Sequence, residues 1–309
     1  MTSLEAVATY LPRQRVAIEE LAGQLGLDGL QVRLLRRFQG FSEIRLDTGG
    51  LLADLLTAAV TRLDALRGQQ HRVKYVLHAR SMPAVVPYPL NPLHEVCAAA
   101  GLGHAVAFTV THHACATSLL ALDAAGRLLA GGEPSDLALV LAGEKTFTLD
   151  AQLVPGTSIF GEAAAACLVS ADGHGDRMLS YATSTRGEFD GRLDELPEVA
   201  AAYEEDYPRS LAAALHAAVG KAGLTLSDIS LILPHNVNVA SWRRLGRATG
   251  FPPDRILLDN VPVTGHAFGA DAFINYQTAL QRGLLRRGEA YLLAAAGLGA
   301  TYSAMVFEH

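Results

Sequence analysis

Cysteine and basic charge are both scarce in this sequence. Three cysteines occur, Cys97, Cys115 and Cys167, and no two of them form a C-x-x-C pair. This sparse, odd-numbered set argues against a disulfide framework or a zinc finger and fits a reducing cytoplasm. Acidic residues outnumber basic ones by 31 to 25, for a formal net charge of -6. We therefore expect no nucleic acid as a main partner.

Long apolar runs are also missing. Gly, His or charged residues interrupt every run well short of the roughly 20 residues of a membrane span, and the N-terminus lacks the basic and apolar regions of a secretory signal. The sequence predicts a cytoplasmic protein that does not enter a membrane. With 50% hydrophobic residues over 309 positions, it can bury a large core.

Short apolar runs alternate with alanine-rich segments of helical period, which is typical of α/β proteins with buried strands. The first half contains four predicted strands, at residues 73–80, 105–111, 137–144 and 163–170, and a helix at 115–130. The second half repeats the order, with strands at 179–185, 231–235, 256–259, 291–297 and 302–308 and helices near 209–222, 240–249 and 270–285. The pattern predicts a duplicated βα unit.

We place the boundary between the halves in a turn-rich segment, "SADGHGDRM", giving domains 1–172 and 173–309. Residues 186–208 are acidic and lack periodicity, so we interpret them as a surface insertion.

Cys115 is predicted to open the first-half helix directly after a strand. A thiol in the first turn of a helix lies at the positive end of the macrodipole, which favours the thiolate. Most free cysteines are simply buried apolar residues, and we interpret Cys97 and Cys167 in that way. The strand-to-helix junction indicates that Cys115 is a nucleophile instead.

The neighbouring His112 and His113 suggest a zinc site with Cys115, but adjacent strand residues point to opposite faces and no fourth ligand follows at metal-like spacing. We expect no metal. His235 ends a predicted strand, "LILPH", and should lie at the carboxyl edge of the sheet, where ligands bind in such folds.

Five ordered motifs resemble thiolase-fold condensing enzymes of the β-ketoacyl-acyl carrier protein synthase III branch: Cys115 at its helix, "PGTSIFGEAAAACLVS", "LPHNVN", "TGHAFGADA" and "GLGATYSAM". The resemblance runs from about Arg36 to the C-terminus. It implies the thiolase fold, an α/β fold in which duplicated βαβαβ halves form a five-layered αβαβα architecture.

The resemblance also implies site residues. Cys115 carries the acyl group, His235 assists acyl transfer, and Asn238 shapes the site. His266 stands where most synthase III enzymes have asparagine, and two histidine donors suit the enolate formed when a malonyl thioester loses carbon dioxide. Asp271 is an added carboxylate of the kind that orients a general base. A five-residue offset separates these two side chains on a regular helix, so their contact requires a loop or an irregular first turn.

The "GLG" segment of Gly297, Leu298 and Gly299 follows a predicted strand and can bring backbone N–H groups to a substrate carbonyl. The resemblance implies an oxyanion hole formed by the backbone of Cys115 and Leu298. It also places Phe160 at the acyl pocket, where a plain packing role is the alternative.

The acyl donor is expected to be a thioester of coenzyme A or of carrier-protein phosphopantetheine, with no tightly bound cofactor. The family's adenine-stacking tryptophan is replaced by Leu34, and the one tryptophan is Trp242. The basic residues left for a phosphate or an acidic carrier protein are Arg36, Arg37, Arg243, Arg244 and Arg247.

Three hypotheses follow. The first is acylation of Cys115 followed by decarboxylative Claisen condensation with a malonyl-type thioester. The second keeps the acyl-cysteine but delivers it to an oxygen, nitrogen or sulfur nucleophile, with Asp271 and a histidine as the base. The third is an inactive partner subunit of a heterodimeric condensing enzyme. The resemblance implies a homodimer and a role in polyketide, fatty acid or specialised metabolism.

Overall fold

The computed structural model describes residues 2–82, 89–149, 151–189 and 197–309. Within these ranges the strands are β1 Ser3–Tyr10, β2 Gln14–Ala17, β3 Glu43–Leu46, β4 Val73–Ala79, β5 Val106–Val110, β6 Leu137–Glu144, β7 Leu153–Val154, β8 Ser158–Ile159, β9 Ala163–Ser170, β10 Asp176–Thr185, β11 Ile229–Pro234, β12 Ala290–Gly297 and β13 Thr301–Glu308. The helices are α1 Ile18–Leu21, α2 Gly29–Leu34, α3 Leu52–Thr61, α4 Pro92–Ala99, α5 Thr117–Leu129, α6 Pro197–Lys221, α7 Val239–Thr249, α8 Val261–Thr264 and α9 Asp271–Gln281.

The two halves of the chain contribute five and four strands to one nine-stranded sheet, and the four strands of the second half repeat the order and directions of four in the first. In the first half the order is β5-β4-β6-β9-β1, where β4 is parallel to β5 and β6 while β9 is antiparallel to both neighbours. In the second half the order is β11-β12-β13-β10, with β11 parallel to β12 and β13 antiparallel to both neighbours. A short antiparallel pairing of Ser3 with Arg177 and Leu4 with Asp176 joins these two parts, the first and the second sheet, into one. The predicted duplication is confirmed.

Five layers result because both faces of each sheet are covered. Successive strand residues point to opposite faces, so Val76 packs under α3 and α4 while Leu77 packs toward α5 and α9 between the sheets. In the second sheet Leu293 faces the same central layer, and Leu292 packs against α6 and α7 on the outside. Strands buried on both faces read as continuous apolar runs, which is why the sequence revealed them.

Three of the differences between the sequence analysis and the structure have a clear physical reason. Strand β1 was not predicted, because its sequence, "SLEAVATY", mixes polar and apolar residues without a clear period. The predicted strand at 256–259 is wrong: among the described residues it makes one parallel bridge, between Ile256 and Ile232.

The third difference concerns residues 186–208. Their interpretation as a surface insertion is wrong for Pro197–Pro208, which form the first part of α6; residues 190–196 lie outside the described ranges. The prediction failed because this stretch is amphipathic only through a few aromatic residues, which pack inward beneath an acidic exposed face. None of the described helices combines the length and the apolar character needed to cross a membrane.

Candidate active site

A tight turn between β5 and α5 holds Cys115. His112 and Ala114 have positive φ angles of 75° and 44°, which non-glycine residues adopt at a cost. A 3-10 turn, Ala114–Ala116, follows and continues directly into α5. Cys115 therefore lies in the 3-10 turn, two residues before the regular helix begins at Thr117, and it is 8% exposed. The turn directs the thiol toward the edge of the sheet.

His266 contacts this thiol directly. Its Nε2 lies 3.2 Å from Sγ of Cys115, and its Nδ1 lies 2.5 Å from Oδ2 of Asp271. A 3-10 turn, Phe268–Ala270, separates the histidine from α9, which begins at Asp271. This irregular first turn brings the two side chains together across the five-residue offset.

Backbone donors fix the Asp271 carboxylate. Its Oδ2 also accepts from the Asn236 N–H at 2.6 Å, and its Oδ1 accepts from the Ala267 N–H at 2.8 Å. The carboxylate is fully buried, so these donors replace the water that a buried charge requires. Asp271 consequently holds His266 with Nδ1–H as the donor and Nε2 toward the sulfur.

The pKa values of the two histidines of the site are shifted in opposite directions. Burial by itself lowers the pKa of His266, but the charges of Cys115 and Asp271 and the hydrogen bonds to both outweigh it and raise that pKa to about 10. His235 is equally buried, and burial together with the charge of His266 holds the pKa of His235 well below its usual range. His266 is thus stable as an imidazolium and His235 as a neutral imidazole.

Several contacts position His235, which follows β11. Its backbone carbonyl accepts from Nε1 of Trp242 at 2.8 Å, and its backbone N–H donates to the Ala294 carbonyl at 2.9 Å. The Ala294 carbonyl also partly offsets the lowering of the His235 pKa. The ring Nδ1 makes no hydrogen bond with a described residue. The ring Nε2 lies 3.2 Å from the hydroxyl of Tyr207.

Asn238 acts locally as a helix cap. Its side-chain oxygen accepts from the Ser241 N–H at 2.6 Å at the start of α7, and its Nδ2 donates to the Thr157 carbonyl at 3.1 Å. It therefore ties α7 to the segment that precedes Phe160 while lining the cavity of the site.

Phe160 and Phe268 form the apolar wall beside the thiol. The two rings stack at 4.5 Å between centroids, and the Phe160 ring lies 4.8 Å from that of His266. Cys115, Phe160 and Phe268 make up one buried cluster, with Met82 and Val154 packed against it. Phe268 adopts a φ of 54°, a backbone conformation that costs energy outside glycine.

The glycine loop meets the turn that carries the thiol. A Cβ added to Gly297 would lie 2.0 Å from the carbonyl oxygen of His113, so only glycine permits this approach. Leu298 lines the cavity, and Gly299 has a φ of 109°. The loop is therefore adjacent to Cys115, where the predicted backbone donors are required.

Six of the predicted site residues line one cavity of about 440 Å³, whereas Asp271, Gly297 and Gly299 are not among its lining residues. It is bounded by Cys115, Phe160, His235, Asn238, His266 and Leu298, with Arg244 and Arg247 among its other lining residues. No group of three or more His, Cys, Asp or Glu side chains in the described ranges is arranged to hold a metal ion.

Comparison with known proteins matches two family models to the chain. The model for 3-oxoacyl-[acyl-carrier-protein (ACP)] synthase III covers residues 111–187, and the model for its C-terminal part covers residues 219–309. A β-ketoacyl-[acyl-carrier-protein] synthase III of Rhizorhabdus wittichii is 30% identical over 239 residues, which span 69% of this chain and 70% of that protein. The chain belongs to the synthase III family.

Solved structures share the fold across the whole chain. The synthase III of Thermus thermophilus has a TM-score of 0.83 at 23% identity and covers 99% of both chains. ChlB3, described as an acyltransferase, has a TM-score of 0.86 at 19% identity, over 99% of this chain and 97% of that one. The predicted thiolase fold is confirmed.

The tryptophan and the basic residues that the sequence analysis considered for donor binding in this synthase III family member lie in different places. Trp242 is completely buried against His235, so its ring is not accessible for stacking on an adenine. Arg36 pairs with Glu19 at 2.6 Å on the surface. Arg244 and Arg247 are among the residues that line the cavity.

Three residues of the site were missed by sequence reasoning. Tyr203 and Tyr207 line the cavity from α6. They stand four residues apart, the spacing of one helix face, and this was the signal available in the segment interpreted as an insertion. Asn236 was overlooked because its contribution is mainly a backbone N–H, which no side-chain motif records.

Proposed function

We propose that the protein forms an acyl-enzyme at Cys115 from a thioester donor. The contact between Cys115 Sγ and His266 Nε2, with Asp271 behind the ring, is the observation that carries this proposal. The thiolate attacks the thioester carbonyl, the carbon–sulfur bond of the donor breaks, and the departing thiolate takes the proton from His266. Cys115 then carries the acyl group and His266 is neutral.

In the second half-reaction, a malonyl-type thioester is the acceptor that family membership favours. Its carbon–carboxylate bond breaks, carbon dioxide leaves, and the electron pair moves to the thioester oxygen as an enolate. The enolate carbon then attacks the acyl carbon, and the electrons of the broken carbon–sulfur bond return to Cys115. Donors aimed at the enolate oxygen lower this barrier.

A second candidate is acyl transfer to an oxygen, nitrogen or sulfur nucleophile. The hydrogen bond from Nδ1 of His266 to Asp271 favours it, because a neutral His266 in this tautomer presents a lone pair at Nε2. That lone pair takes a proton from an incoming nucleophile as it attacks the acyl carbon. The carboxylate beside this histidine also supports a role in specialised metabolism.

The donor in this proposal is a phosphopantetheine thioester, on coenzyme A or on a carrier protein. Arg244 and Arg247 at the cavity supply positive charge for its phosphate. The burial of Trp242 removes one aromatic surface for adenine, which favours the carrier-protein form.

A homodimer through β5, in the cytoplasm, completes the proposal. β5 is the outer strand of its sheet, and it leaves Val106 and Phe108 exposed to 59% and 37%. Exposed apolar edge strands are commonly paired with another chain. Light scattering should give twice the chain mass for the native protein and the chain mass for Val106→Lys; a monomeric native protein contradicts the dimer.

Intact-protein mass spectrometry tests the acyl-enzyme. The native chain and Cys115→Ala are incubated with acyl-coenzyme A and acyl-carrier thioesters, and an acyl-sized mass gain is expected on the native chain alone. A gain of equal size in Cys115→Ala, or none from any donor, contradicts the proposal and favours an inactive partner subunit.

The acceptor is then identified with the loaded enzyme. Malonyl-carrier protein labelled in its free carboxyl group should release labelled carbon dioxide and discharge Cys115 if condensation occurs. Discharge by small alcohols, amines or thiols, without carbon dioxide release from the malonyl thioester, identifies the acyltransfer reaction instead.

A further inference from the structure

The hairpin of β7 and β8 forms one wall of the cavity beside the thiol. Within it Val154 lies directly opposite Ser158, and residues opposite each other on neighbouring strands share one face. Phe160 follows Ser158 by two residues and lies on that face too, whereas Ile159 between them packs in a different core cluster. Val154 and Phe160 both pack in the cluster around Cys115. The Ser158 side chain therefore points toward the space beside the thiol.

The hydroxyl of Ser158 is buried there without a partner. Ser158 is 1% exposed and is one of the residues that line the cavity, and its Oγ makes no hydrogen bond with a described residue. Neighbouring backbone groups of the hairpin are paired. The Gly156 carbonyl accepts from Nε2 of Gln39 at 2.7 Å, and the Thr157 carbonyl accepts from Nδ2 of Asn238 at 3.1 Å.

An unpaired buried hydroxyl works against folding. Its transfer from water into the protein costs free energy that no hydrogen bond offsets, and an alanine at this position would bury no polar atom. The side chains clustered around the thiol here, Phe160, Phe268, Met82 and Val154, are apolar. A molecule bound in the cavity can supply the missing partner.

The position of Ser158 indicates which part of that molecule it meets. Its face of the hairpin is the one that packs around Cys115, where an acyl group attached to the sulfur has to lie. The positive charge available to a donor phosphate is elsewhere on the cavity wall, on Arg244 and Arg247 of α7. Ser158 is therefore on the acyl side of the cavity.

We propose that Ser158 is a specificity-determining residue whose hydroxyl forms a hydrogen bond with an oxygen substituent on the acyl group carried by Cys115. A serine hydroxyl both donates and accepts, so a hydroxyl or a keto oxygen satisfies it, while the apolar wall contacts the hydrocarbon part of the acyl chain. This inference rests on the acyl-enzyme proposed above and names its substrate class, a hydroxyacyl or oxoacyl thioester.

Pairwise competition between acyl donors tests the proposal. A butyryl thioester competes separately with its 2-hydroxy, 3-hydroxy and 3-oxo analogues, each on the donor form that acylates the native chain, and intact mass distinguishes the two products on Cys115. We expect the native chain to prefer at least one oxygen-substituted donor by about three- to tenfold, the ratio that one neutral hydrogen bond supplies. Ser158→Ala should bring that ratio close to one while acylation by butyryl is retained.

Ser180→Ala is the matched control. Ser180 is also a buried serine, but its hydroxyl donates to the Ala218 carbonyl at 2.7 Å, and it is not among the residues that line the described cavity. Its loss should leave donor preference unchanged and lower the denaturant midpoint of unfolding. Ser158→Ala should not lower that midpoint, because it removes a hydroxyl without a partner.

Three results would overturn the inference. One is a native chain that acylates Cys115 but prefers no oxygen-substituted donor to butyryl, and another is a preference that persists in Ser158→Ala. The third is an equal loss of acylation by every donor in Ser158→Ala, which would place the hydroxyl against the part that all donors share. If no donor acylates the native chain, the proposed acyl-enzyme itself fails, so the two failures are distinguishable.

Discussion

The Asp271 carboxylate lies 2.5 Å from Nδ1 of His266, although five residues separate the two along the chain. The contact forms because the chain between them is a 3-10 turn rather than a regular helix. It gives His266 a fixed tautomer and a counter-charge, and it distinguishes this site from one built on an asparagine at position 266.

Asp271→Asn should slow acylation of Cys115 by about 10²- to 10⁴-fold, the range of a general acid–base contribution. The amide removes one of the two charges, those of Cys115 and Asp271, that raise the His266 pKa, and it competes as a donor with the Nδ1–H. Single-turnover mass spectrometry measures the rate. Asp176→Asn is the control, since Asp176 is a buried carboxylate that also accepts from a histidine, His309, at 2.8 Å. Equal acylation rates in Asp271→Asn and the native chain would contradict this role.

Stability should fall in acid because of His78. Burial, with the charge of Arg80, lowers the pKa of His78 to about 3, whereas the unfolded side chain binds a proton near pH 6.5. The unfolded state therefore gains protons first as the pH falls. The stabilising contribution is present above about pH 6.5 and is lost toward pH 3 at up to about 1.4 kcal/mol per pH unit.

Denaturant unfolding at several pH values checks this slope. His78→Gln retains an N–H donor for the Gly143 carbonyl, which lies 3.3 Å from Nε2 of His78, and it should flatten the slope between pH 6.5 and pH 4. His71→Gln, at an exposed position, should leave it unchanged. Parallel slopes for all three proteins would show that His78 does not titrate in this way.

Gly297→Ala should displace the turn that carries Cys115. Its Cβ would lie 2.0 Å from the His113 carbonyl oxygen, an overpacking that typically costs about 1–3 kcal/mol. We expect a lower unfolding midpoint and a strongly reduced acylation rate. Gly103→Ala, which meets no atom within 4 Å, serves as the control. Native acylation and stability in Gly297→Ala would mean that Gly297 and the His113 carbonyl are not in tight contact.

Phe160→Leu should widen the acyl pocket and shift donor preference toward longer chains. Phe160 is 7% exposed and borders both the cavity and the thiol. Phe307→Leu removes a similar buried ring from the layer between the sheets, so its loss of stability should be comparable without a change in chain-length preference. Competition between acyl donors, scored by the mass gained on Cys115, measures the preference. An unchanged preference in Phe160→Leu would assign the ring to packing alone.

The sequence was most informative where one local pattern dictates one structure. The apolar runs of β6 and β9 predicted strands buried on both faces, and their bounds agree with the structure. It was least informative in α6, where an acidic face hides Tyr203 and Tyr207, and at β1, whose pairing partners β9 and β10 lie far away in the chain.

The candidate site divides in the same way. Motifs pointed to Cys115, His235, His266 and Asp271. Cys115 and His235 also stand at a helix start and a strand end, where an α/β fold exposes reactive groups, whereas His266 and Asp271 were found through the resemblance of their motif. Whether these groups touch depends on how segments far apart in the sequence pack together, and Cys115 and His266 are 151 residues apart. No local pattern encodes such a distance.

The sequence by itself determined the duplicated α/β architecture and the position of Cys115 between a strand and a helix, since periodicity, turn residues and motif order are local properties of the chain. Tertiary structure alone decided that His266 contacts both Cys115 and Asp271, and that the Tyr207 hydroxyl lies 3.2 Å from Nε2 of His235. Those contacts join separate elements from both halves, and their geometry exists only after the two sheets and α6 have packed together.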